Sequence, residues 1–177
     1  MASAEPMDGN LTVALATWVF LLHAAGIQAD DDAVRALCEK VKGAENEEEG
    51  DAAGLELVQA MSERLQGQDT PDRVLELAAG LFGDRAVAEM GEGNRQDRTH
   101  RIRKYQFGRQ LPWLARIWER SHDGRVAPSW LLIEQVTDQV LAMDPNPWND
   151  IDEERTLPVA DFQVLWELDG CTSVHIR

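Results

Sequence analysis

Residues 11–27 read LTVALATWVFLLHAAGI, and Val13, Leu15, Trp18, Val19, Phe20, Leu21 and Leu22 leave a helix built from this run with almost no polar face. A helix that is apolar all round must be enclosed by other elements of its own chain or by a membrane. The run is 17 residues long, contains Thr12, Thr17 and His23, and lacks basic anchors at its ends, so it falls short of a bilayer span. It is expected to be a core helix, capped by Asn10, around which the rest of the chain must wrap.

The rest of the chain can do this. Its 177 residues are 44% hydrophobic and include six Trp, enough for a real core in one domain or two small ones. A mean hydropathy of -0.38 fits a water-soluble globular chain. Cys38 on an apolar stripe and Cys171 near the chain end do not suggest a disulfide framework. The first ten residues hold Glu5 and Asp8 and no Lys or Arg, so no secretory leader is read and a cytoplasmic address without membrane contact is expected.

Charge is unevenly spread. The net charge is -15, yet residues 95–125 carry 9 basic and 3 acidic groups, against 6 and 19 before them and 2 and 10 after them. A basic strip between acidic flanks is where a partner would be sought. The surrounding negative field repels nucleic acid phosphates, which disfavours such a partner.

Several helices follow from periodicity. Asp30, Asp31 and Asp32 supply a cap and first-turn acids for a stripe of Val34, Leu37, Cys38 and Val41. Residues 43–53, rich in acids, read as a solvated loop, after which Leu55, Val58, Met61 and Leu65 mark a third helix. Thr70 and Pro71 open a fourth, carrying Val74, Leu77, Ala78 and Leu81, and a short helical stretch over 86–90 closes this half. Beyond a break at 91–94, helices are expected over 95–107, from Pro112 through Leu114, Ile117 and Trp118, and from Pro128 through Trp130, Ile133, Val136, Val140 and Met143. The tail alternates with period two, so Phe162, Val164 and Trp166 are read as one strand face. A Leu168-Asp169-Gly170 loop would pair Trp166 with Thr172, Val164 with Val174 and Phe162 with Ile176.

The expected fold is thus mainly α with a C-terminal β-hairpin: an acidic helical bundle over 1–92, then a half over 95–177, separate from it or packed with it as one domain. The order helix, helix, helix, hairpin in the second half resembles winged-helix domains. That likeness implies a last helix in the major groove, but residues 128–143 carry Glu134 and Asp138 and no Lys or Arg, the wrong sign for phosphate. Residues 21–26 followed by Asp32, Val34 and Leu37 are similar to the opening helices of acidic ribosomal stalk proteins, which implies a dimerisation unit; the acidic tail of that family is replaced here by a Trp-bearing hairpin.

Catalytic and metal signatures are weak. Glu119-x-x-His122 and Asp97-x-x-His100 would share a helical face as in di-iron bundles, but they lie among Arg95, Arg98, Arg101, Arg116 and Arg120, whose charges oppose a cation. Ser121, His122 and Asp123 are adjacent, which does not let a triad converge, and in the preferred register Cys171 and His175 lie apart. No catalytic residue, metal ligand or cofactor is assigned. Arg and Trp dominate interface energetics. The leading expectation is therefore a non-catalytic adaptor subunit that docks on another protein of acidic or mixed surface, through Arg98, Arg101, Arg103, Lys104, Arg109, Trp113 and Arg116. Trp148 is either a further anchor or a lid over the tail hairpin. A second copy of the chain is an alternative partner; a winged-helix nucleic-acid binder and an enzyme with an unrecognised site are the other readings.

Overall fold

The computed structural model describes residues 9–89, 111–120, 124–143, 154–168 and 172–176. Four helices come first: α1 (Gly9–Ala24), α2 (Asp32–Lys42), α3 (Glu47–Leu65) and α4 (Pro71–Phe82). After a 3-10 turn at Gly83–Arg85 come β1 (Ala86–Glu89), β2 (Trp113–Arg120), β3 (Val126–Val136), β4 (Gln139–Met143) and β5 (Glu154–Pro158). A helix, α5 (Val159–Glu167), and a last strand, β6 (Ser173–Ile176), complete the order.

The strands form one antiparallel sheet in the order β1-β6-β2-β3-β4-β5. The chain is therefore mixed α and β, which corrects the expectation of a mainly helical protein with a terminal hairpin. The winged-helix likeness falls with it, because two of its helices are strands.

As its composition requires, α1 is enclosed: Leu11, Ala14, Leu15, Trp18 and Leu22 have no exposed surface. It packs on α2, α3 and the centre of the sheet, and the Trp18 indole N–H donates to the Pro112 carbonyl at 2.9 Å, where β2 begins. Gly26, at φ +91, takes the left-handed turn that ends the helix. The His23 ring nitrogen Nε2, 2.6 Å from the Glu39 carboxylate, ties α1 to α2.

Two of the caps read from the sequence are present, Asp31 before α2 and Thr70 before α4, whereas Asn10, expected to cap the first helix, lies inside α1, which starts at Gly9. The acidic run after Gly43 is partly helical, however. The Asn46 side chain accepts the Glu49 N–H at 2.8 Å, and Glu47, Glu48 and Glu49 form the first turn of α3, where the helix dipole favours acids. Starting the helix there sets which residues turn inward. Ala53, Leu57, Met61 and Leu65 form the buried stripe, and Leu55, expected in the core, is 69% exposed. Leu57→Ala should therefore cost about 2–5 kcal/mol in urea melts, while Leu55→Ala stays within about 0.5 kcal/mol of the parent.

Asp31 also braces α3. Its carboxylate accepts the Ala33 and Val34 N–H groups at 3.0 and 3.2 Å and pairs with Arg64 at 2.8 Å. Burial pushes this carboxyl up, but the Arg64 hydrogen bond and charge and the two backbone donors outweigh it, and the group titrates below its ordinary 3.8. A carboxyl lowered by folding stabilises fully above its unfolded value, and that stability is lost as pH falls through the folded one. Asn caps as well as Asp, so Asp31→Asn removes the ion pair selectively. Urea melts should then show the parent losing its advantage over this variant as pH drops below 3.8.

The sheet separates two cores. Leu114, Trp130, Leu132, Val174 and Ile176 face the helices α1 to α4, and Trp113, Ala115, Ile117, Leu131 and Ile133 face α5. Strands covered on both faces read as continuous apolar runs, and such runs match a helical spacing as readily as a strand one. That is why Leu114, Ile117 and Trp118 suggested a helix. The stripe from Trp130 to Met143 spans two strands instead: Thr137 and Asp138 turn the chain, with the Thr137 N–H donating to the Gln139 carbonyl at 2.9 Å. A bulge between Ile133 and Gln135 shifts the alternation, so Val136 joins Ile133 on the α5 side. The helical stretch expected over 86–90 is strand β1 up to Glu89.

The tail is reversed as well. Phe162 and Trp166 sit one helical turn apart on the inner face of α5, and Val164, expected beside them, is 59% exposed. The expected tail pairing is replaced: β6 inserts between β1 and β2, pairing Val174 with Ala88 and Leu114, and Ile176 with Ala86. Among the described residues no helix is long and apolar enough to cross a membrane.

Candidate functional site

Strand β2 alternates Leu114, Arg116, Trp118 and Arg120 on its helix-facing side, and β3 sets Leu132, Trp130, Pro128 and Val126 opposite them. The first pair is fully buried. The last is exposed, Val126 by 54%. Between these ends lies a gradient: Trp130 is buried and its indole N–H donates to the Asp69 carbonyl at 3.2 Å, in the loop joining α3 and α4. That contact ties β3 to the loop between α3 and α4. Arg116, Trp118 and Pro128, all half-buried, follow it, and Arg120, Arg125 and Val126 reach solvent near Gly124, whose φ of +87 helps turn the hairpin.

The hairpin thus carries a face, more exposed toward its end, in which two guanidinium groups flank an indole, with proline and valine beside them. Guanidinium groups present forked donors suited to carboxylates. The indole, Pro128 and Val126 add apolar area between them. This combination is chemically suited to an anionic surface that carries an apolar residue.

The hairpin contains part of the expected strip. Arg116 is on it. Arg98, Arg101, Arg103, Lys104, Arg109 and Trp148 lie outside the described residues. Trp113 is not at the surface: it is 2% exposed, on the opposite side of β2, edge-on to Trp166 at 5.7 Å and to Phe162 at 6.3 Å. It anchors the second core and is not available to a partner. Trp118, Arg120 and Val126 were overlooked because a helical reading of 112–118 turns Trp118 inward and scatters the arginines. The spacing Arg116, Trp118, Arg120 is the signal that a strand reading recovers. No known protein family, curated protein or solved structure matches the chain.

The Cys38 thiol is pushed up to about 11, by burial first and by Glu39 second, so it stays protonated and packs as a core residue. His175 is buried on β6 opposite Val87, not opposite Gln163 as the tail hairpin required. Glu119 lies on a strand, where a spacing of three does not place two side chains on one face, so its expected pairing with His122 has no helical basis. Asp97, His100, Ser121, His122, Asp123 and Cys171 lie outside the described residues. Among the described residues no group of three or more His, Cys, Asp or Glu side chains gathers as metal ligands would.

Proposed function

We infer that this chain is an interaction subunit that docks on another protein of acidic or mixed surface through the end of the β2–β3 hairpin. The observation that carries this reading is the Arg116, Trp118, Arg120 face opposite Pro128 and Val126, which grows more exposed toward the hairpin end. Charge distribution supports it. Before position 95, Arg35 pairs with Asp32, Lys40 with Glu56, Arg64 with Asp31 and Arg73 with Glu76. Residues 95–125 hold the larger share of positive charge, and the hairpin end is part of that segment. A protein partner is favoured over nucleic acid because the net charge of -15 opposes a continuous line of phosphates more than a contact with a few carboxylates.

The test compares affinity captures from the source cells by the tagged parent and by R120E/V126D, two changes at exposed positions. The parent should enrich a defined protein that the variant loses. Equal recovery by both, or nucleic acid recovered in its place, would contradict the reading.

A further inference from the structure

The chain carries a surface with the opposite character at the other end of its helical layer. Positions 48, 51, 52 and 55 of α3 share the face opposite the buried stripe of Ala53, Leu57 and Met61, and Glu48, Asp51, Ala52 and Leu55 are all exposed. Leu55 is the most exposed large apolar side chain among the described residues. The hairpin is cationic around Trp118 and Val126; this helix face is anionic around Leu55.

Trp130 ties the hairpin to the loop after α3, and Glu48 lies about 25 Å from that end along the helix.

We propose that the hairpin end of one copy docks on the α3 face of a second copy, placing Arg120 and Arg125 against Glu48 and Asp51 and Val126 against Leu55. This rests on reading the hairpin as a docking face, and it names the occupant. The two contacting surfaces differ, so the contact is head to tail and can repeat along a chain of copies. The overall negative charge opposes association at long range, but at about 0.1 M salt charges more than about 10 Å apart are largely screened, while touching groups still attract.

Sedimentation velocity of the purified full chain at about 0.1 M salt tests this. The parent should associate with rising concentration, to species larger than dimers. R120E/R125E and E48R/D51R alter only exposed side chains, and each alone should weaken association about tenfold or more. Thermal melts should confirm that both variants fold. Their equimolar mixture should recover association, because each reversed face then meets its swapped counterpart. A parent that remains monomeric at about 1 mM, variants that associate like the parent, or a mixture without recovery would overturn the proposal. A monomeric parent that still captures a foreign protein through Arg120 and Val126 would leave the docking face standing and remove only the second copy as its occupant. Association of copies with no foreign protein captured would do the reverse. Binding of a labelled single-stranded oligonucleotide by the parent, lost in R120E/R125E, would assign the face to a polyanion and overturn the self-pairing.

Discussion

A chain ending after residue 171 should lose cooperative unfolding altogether. Among the described strands, the four residues Ser173–Ile176 alone pair with β1, and they join it to β2. All four are buried, with Val174 and Ile176 in the core shared with α1 and α4. Each of those two side chains contributes about 1.5–3 kcal/mol by burial. Their removal also detaches β1 and opens the edge of β2, against a total stability of about 5–15 kcal/mol for a domain. Thermal melts followed by near-ultraviolet circular dichroism should show no sigmoidal transition for the shortened chain. A transition within about 1 kcal/mol of the parent would mean that β6 is a peripheral strand, as in a terminal hairpin, and would contradict the sheet order.

The second large effect is expected at Trp166. Its side chain has no exposed surface, stacks on Phe162 at 5.6 Å, meets Trp113 edge-on, and donates its indole N–H to the Thr172 carbonyl at 2.7 Å. It fixes α5 to the sheet and to the segment that enters β6. Trp166→Ala should cost about 3–5 kcal/mol. Trp166→Phe, which keeps most of the ring packing and loses the donor, should cost about 1–3 kcal/mol. Val164→Ala is the discriminating control. A helix turns Val164 to solvent and predicts a change within about 0.5 kcal/mol; a strand would place it beside Trp166 in the core and make the change costly. A large loss for Val164→Ala would contradict α5.

Most of residues 9–85 was legible because the elements there carry their own local signals. The all-apolar α1 demanded enclosure, Asp31 and Thr70 are caps, and Val34 with Cys38 lie one turn apart as the periodicity requires. The error at Leu55 arose because α3 starts at Glu47 and its buried stripe runs through Leu57. The sheet was harder to read for a physical reason. Trp130, Leu131, Leu132 and Ile133 are all buried because helices cover both faces of β3, so neither a period of two nor one of 3.6 stands out. Trp166 shows the converse ambiguity, since Phe162 and Trp166 share a face in a strand and in a helix alike, and only the exposure of Val164 separates the two. Pairing between β1 and β6 joins residues almost ninety positions apart, and no local pattern encodes it. The hairpin face was half visible: the excess of basic residues pointed to the right segment, and the wrong element type hid Trp118 and Arg120 and brought Trp113 forward in their place.

Photo-crosslinking from the surface positions tests the docking face most directly. A benzophenone amino acid is placed at position 118 or 126 on the hairpin, or at the exposed position 164 on α5, on the other side of the sheet. The account predicts that illumination joins a protein, foreign or a second copy, to positions 118 and 126 and leaves position 164 unlinked. Crosslinks confined to position 164, with none from the hairpin, would show that the partner sits on the other side of the sheet and would contradict it.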